Sequence, residues 1–157
     1  MNRKLFCVVV LVCVVGLSSA AFAADEHLGT WKVNLTKSNY NPANLAPKSQ
    51  VCKTEAMGNA AKTTCDVVDY QGKSVHYDFT TNYDGKDATV TGDPNRDQTA
   101  LKKVDDFTFD QTNKKSGKVT TNTHTVYARD GKSRTLTTTG VNAQGQKVAN
   151  TTAWDKQ

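Results

Sequence analysis

Three histidines (His27, His76 and His124), four cysteines and an adjacent carboxylate pair, Asp105-Asp106, are the residues here whose types can do chemistry. Their spacing assembles none. The histidines stand alone, without the HExxH, HxH or Cys/His intervals of a metal site. No serine sits in a G-x-S-x-G elbow. Asp105 and Asp106 would point to opposite faces of a strand, so a turn suits them better. Lys114, Lys115 and Lys118 read as a solvated basic hairpin tip. No enzyme, metal or cofactor is expected.

A different set of residues can line a container. Val75, Tyr77, Phe79, Thr81 and Tyr83 alternate with Ser74, His76, Asp78, Thr80 and Asn82. Val119, Thr121, Thr123, Thr125 and Tyr127 alternate with Lys118, Thr120, Asn122 and His124. Val148, Asn150, Thr152 and Trp154 do the same against Lys147, Thr151 and Asp155, as do Trp31, Val33 and Leu35, and Phe107 and Phe109. A period of two places each first-named set on one face of a strand. Tyr77, Phe79, Tyr83, Thr123, Thr125, Tyr127 and Trp154 are therefore the expected inward-facing ligand residues. Aromatics offer apolar contact and hydroxyls a few orienting hydrogen bonds. No inner position carries a clear charge, which favours an uncharged or weakly polar ligand over an acid.

These faces need elements to hold them. Of 157 residues, the first 23 read as a secretory signal peptide, with Arg3 and Lys4 before an apolar run Leu5–Leu17 and Ala21-Phe22-Ala23 as cleavage site. That run is shorter than the ~20 residues of a membrane span, and no later segment is apolar enough to be one. The mature chain, residues 24–157, is expected to be exported to a periplasmic or extracellular location as a single-domain monomer. It keeps 18 Lys+Arg against 15 Asp+Glu, a net charge of +3 that implies no nucleic-acid or membrane partner. It holds 22 Thr, 11 Val and no Ile. β-Branched residues suit a pleated, half-buried surface, and no window has helical apolar spacing. The chain reads as all-β.

Gly58-Asn59, Gln71-Gly72, Asp84-Gly85, Asp130-Gly131 and Gln144-Gly145 punctuate it as turns. Strands are expected near 29–36, 49–57, 60–69, 73–83, 86–91, 98–104, 106–112, 117–129, 132–141 and 146–155. Eight to ten strands joined by tight turns form an up-and-down antiparallel meander, and closure into a barrel removes its edges. If Gly58-Asn59 is a two-residue turn, Cys52 falls opposite Cys65, Thr54 opposite Thr63, and Glu55 opposite Lys62 as an opposite-charge pair. Cys7 and Cys13 leave with the leader. In an oxidising compartment Cys52 and Cys65 then form the one possible disulfide.

Gly29-Thr30-Trp31 opening the first strand, the long connection 38–48 after it, and a meander ending in a short aromatic-bearing strand resemble the lipocalin and wider calycin barrels. The stretch Gly29–Ser38, Tyr83-Asp84-Gly85-Lys86, Val90–Pro94 and Ala143-Gln144-Gly145 is similar to small exported bacterial proteins described only as lipocalin-like, of unassigned function. The resemblance implies that Gly29 and Trp31 are structural, with Trp31 plugging a closed base, and that 38–48 forms a lid. The arginine that packs on that tryptophan in the family has no equivalent in the last strand, where Lys156 is the nearest cation. The C-terminal helix is absent too, which suggests a short ten-stranded calycin.

Three readings follow. The first is an exported non-enzymatic barrel holding a small ligand in its lumen. The second is a protein-binding or protease-inhibitor-like barrel acting through its rim or the N-terminal residues Ala24–Leu28. The third is a barrel packed solid with its own side chains.

Overall fold

The computed structural model describes residues 26–157. The expected signal peptide, and with it the boundary at residue 24, lies outside them. Ten strands run in chain order: β1 (Gly29–Asn39), β2 (Ser49–Met57), β3 (Ala60–Val68), β4 (Ser74–Thr81), β5 (Asp84–Thr91), β6 (Gln98–Lys103), β7 (Thr108–Lys115), β8 (Lys118–Tyr127), β9 (Ser133–Val141) and β10 (Lys147–Lys156). One 3-10 turn, Ala43–Leu45, interrupts the β1–β2 connection. Each strand pairs antiparallel with its sequence neighbours, and β1 pairs with β10 to close the barrel. The all-β meander expected from the composition is what forms.

Turn chemistry sets the register. Gly58 takes φ 61° in the first central position of the β2–β3 turn, as a type II′ hairpin wants. The ladder then runs Cys52↔Cys65, Thr54↔Thr63, Glu55↔Lys62 and Ala56↔Ala61, as the two-residue turn predicts. Ser116 and Gly117, at φ 51° and 75°, build the corresponding β7–β8 turn. β4 and β5 form the thinnest seam, with Asp78↔Thr91 and Phe79↔Val90 as their paired positions.

The buried set fills one inward face: Trp31, Val33, Cys52, Cys65, Tyr77, Phe79, Val90, Phe109, Tyr127, Val148 and Trp154, with Thr54, Thr81, Thr99, Asn113, Thr123, Thr125 and Thr152 among them. Parity thus sorts most strands correctly. Leu35 and Val119 are exceptions, both exposed rather than inward. In β1 the ladder with β10 shifts between Asn34 and Asn39, breaking the alternation after Asn34. Val119 lies beyond a similar shift at Asn113/Lys114, near the tip of its hairpin.

Charged side chains on the outer face also choose their own partners. Glu55 and Lys62 oppose each other in the ladder but form no ion pair; Lys53 holds Glu55 at 2.7 Å, while Lys62 leans to Asp78 at 3.7 Å. Long exposed side chains reach a neighbour along the strand, as Lys53 does, or diagonally across it, as Lys62 does, so such pairs contribute little to stability. Lys114, read as part of a free basic tip, instead reaches Asp87 at 2.6 Å. Asp105 does sit in a turn, where its carboxylate accepts the Phe107 N–H at 2.8 Å. That bond, first among the causes, holds its pKa below the usual value. Among the described residues no helix is long and apolar enough to cross a membrane.

Candidate functional site

The lumen contains a cavity of about 260 Å³, at the lower edge of the roughly 300–1,000 Å³ typical of small-molecule pockets. All seven residues expected to face inward, Tyr77, Phe79, Tyr83, Thr123, Thr125, Tyr127 and Trp154, line it. They come from three strands, β4, β8 and β10, and one tight turn, so no local stretch of chain encodes the site.

One end of the barrel carries the first described residues and the end of β10, and it is plugged. Trp31 is fully buried there, and its indole N–H donates to the His27 carbonyl at 3.2 Å. Gly29 enters this end at φ 112°, where an added Cβ would lie 2.9 Å from the Lys156 side chain. Residues 26–28 are tucked against the base rather than projecting from it: Lys156 Nζ donates to the Glu26 carbonyl at 3.5 Å, and His27 is buried. Its imidazole stacks edge-on against Tyr83, Phe109 and Tyr127, with centroids 4.7, 5.0 and 6.5 Å away. Edge-to-face packing at these distances is the favoured aromatic geometry.

Arg134, on β9, lies over this base. Its guanidinium carbon is 4.8 Å from the centroids of both Trp31 and Trp154 and 5.6 Å from that of Tyr127. Lys156 Nζ approaches the Trp31 ring at 5.3 Å. The base tryptophan is therefore covered by two cations. The last strand carries no arginine, and the one that lies over Trp31 comes from β9.

In the middle of the lumen the hydroxyls bond to one another. Thr54 pairs with Thr63 at 3.1 Å and Thr123 with Thr138 at 2.9 Å, and Thr152 accepts the Trp154 indole N–H at 3.0 Å. Such pairs meet the bonding needs of buried hydroxyls without charge. Beside them the Cys52–Cys65 disulfide forms part of the wall.

Near the opposite end a polar network spans three strands and a loop. Arg96, from the 92–97 loop, donates through Nε to Asp93 at 2.9 Å and through Nη1 to Asn113 Oδ1 at 2.6 Å. Thr99 also donates to Asn113 Oδ1, at 3.0 Å, and Gln111 donates to Thr99 at 2.8 Å. Asn113 donates in turn to Thr121 at 3.0 Å. The Arg96 guanidinium carbon lies 4.8 Å from the Tyr77 ring centroid and 5.5 Å from that of Phe79. Gly92 allows the loop this close: its φ is 88°, and any Cβ would lie 2.2 Å from the His76 carbonyl oxygen.

The expectation that no inward position is charged is thereby corrected. Arg96 and Arg134 both line the cavity, and among the described residues no Asp or Glu does. Two of the lining phenols, Tyr77 and Tyr40, resist ionisation. Burial raises the Tyr77 hydroxyl pKa, against the lowering effects of Arg96 and the 3.1 Å bond from Gln50. Burial also pushes Tyr40, on the β1–β2 connection, up to about 12. That connection is pinned where it passes the wall: Asn41 donates its N–H to Asn150 Oδ1 at 3.0 Å and accepts from Ala149 N–H at 2.9 Å.

Besides the arginines, sequence reasoning missed His27, Gln50, Gln111 and Asn113 as lining residues. Gln111 and Asn113 continue the parity of Phe107 and Phe109, which is the signal that finds them. His76 and His124 face outward, each bonded across strands to an aspartate, Asp66 at 2.7 Å and Asp110 at 2.6 Å. Among the described residues no three His, Cys, Asp or Glu cluster to hold a metal. Neither a protein-family model nor a curated protein matches the sequence.

Proposed function

We propose that this chain is an exported, non-enzymatic, lipocalin-like binding protein that holds one small organic molecule in its lumen. The observation that carries this reading is the composition of the cavity wall. Tyr77, Phe79, Phe109, Leu101, Leu136 and Trp154 supply apolar surface, with hydroxyls, amides and two arginines set among them. That is the makeup of a ligand pocket, in which a few polar groups orient an otherwise apolar guest. A barrel built only for its own packing gains nothing from enclosing arginine, glutamine and asparagine beside open volume. The disulfide suits an oxidising compartment, in keeping with export.

Native mass spectrometry of the protein purified from its own host tests the proposal. Added mass that disappears on denaturation is the expected result. Bare protein that also binds no amphipathic probe, with Tyr77→Ala and Tyr127→Ala behaving like wild type, would favour the solid barrel.

A further inference from the structure

We infer that the molecule held in the lumen is a small monocarboxylic acid whose carboxylate seats on Arg134 and Tyr127 at the plugged end. The inference rests on the lumen-binding reading above. It follows from the unequal partnering of the two arginines.

Arg96 has its counter-ion. Asp93 lies 2.9 Å away, and the Arg96 and Asp93 side chains are 13% and 11% exposed. Arg134 has none among the described residues. Its one hydrogen bond is from Nη1 to the Tyr127 hydroxyl at 2.9 Å, and its buried Nε has no acceptor. A guanidinium carries five N–H donors and cannot shed its proton in a protein. Enclosing it without a carboxylate is therefore costly. Trp31 and Trp154 offset part of the charge through their ring faces and clamp the side chain in place. They accept no in-plane N–H···O bonds.

The missing acceptor has a definite chemistry. A carboxylate presents two coplanar oxygens that match the guanidinium fork. Because Tyr127 accepts from Arg134, its own hydroxyl proton remains free to donate to a second oxygen. Of the two arginines that line the cavity, Arg134 is the one without a carboxylate among the described residues, so a single negative charge matches it. Phe79, Leu101, Phe109 and Leu136 along the wall then receive an apolar body. The cavity volume restricts that body to a short chain or a single ring.

Trp31 and Trp154 flank Arg134 and serve as a built-in fluorescence reporter. The mature protein is titrated at neutral pH with octanoate and 3-phenylpropanoate, and in parallel with their primary amides, with calorimetry as a second readout. The acids are expected to bind about tenfold or more tighter than the amides. Arg134→Gln should abolish that acid-over-amide ratio and Tyr127→Phe should reduce it. Should Arg134→Gln fail to fold, the wild-type ratio and Tyr127→Phe decide. Equal binding of acid and amide would overturn the carboxylate assignment while leaving lumen binding intact. Binding of neither would overturn both.

Discussion

Cys52 and Cys65 are bonded in the middle of a four-strand row, with Trp31 paired to Cys52 on one side and Tyr77 to Cys65 on the other. Their Cα atoms are 4.1 Å apart, a close cross-strand approach. The crosslink thus joins the residue that plugs the base to one that lines the lumen. Unreduced, denatured protein should show no alkylatable thiol from this pair. Replacing both by Ser releases a 14-residue loop, worth roughly 3 kcal/mol. Calorimetry should record a loss on the order of 10 °C in Tm.

Trp31 is fully enclosed. In a Trp154→Phe variant its fluorescence should resist iodide quenching. Trp31→Ala removes the plug and should cost about 3–5 kcal/mol in urea unfolding. A fully quenchable Trp31 would contradict the packing of the base.

The Arg96–Asp93 pair is mostly shielded from solvent, so each partner depends on the other. Asp93→Asn leaves Arg96 uncompensated beside Tyr77 and should destabilise by about 3 kcal/mol. The double variant Asp93→Asn/Arg96→Met should lose less than the sum of the single changes in urea unfolding. Additive losses would show that the two do not act as a pair.

Burial raises the pKa of both Tyr40 and Tyr77, Tyr40 from 10.0 to about 12. In the unfolded chain both phenols ionise near the ordinary value, while the fold resists ionising them. This contribution is fully present below pH ~10 and is lost as pH rises toward the folded values. Stability should therefore fall on the alkaline side, and Tyr40→Phe should flatten the decline. Absorbance titration of the phenolates should place Tyr40 well above free tyrosine.

The register of the β2–β3 hairpin was legible because one glycine-bearing turn sets every later pairing. The seven lumen residues were legible because aromatics and Val contrast with Lys, Asp and His on alternate positions. Arg134 was harder to see. It lies in Ser133-Arg134-Thr135-Leu136-Thr137-Thr138-Thr139, where threonine on both faces erases the contrast and Leu136 alone marks the inner parity. Arg96 had no signal at all, since its loop has no period and reaches the cavity only because Gly92 lets the backbone approach β4. Local pattern reveals faces; it does not show which side chains cross from a loop into the interior.

The closing pair of strands has a topological consequence. Trp31 stands opposite Lys156, and the last residue donates its N–H to the Thr30 carbonyl at 2.9 Å. Every other pairing joins strands adjacent in sequence. The ten described strands therefore form nearly a ring, with one opening between β1 and β10 along the chain. The loop-closure entropy of folding is concentrated in one event, the meeting of the first strand with the last. A short peptide bridging those ends, with a new opening at Gly58-Asn59, would give a permuted chain with the same ladder.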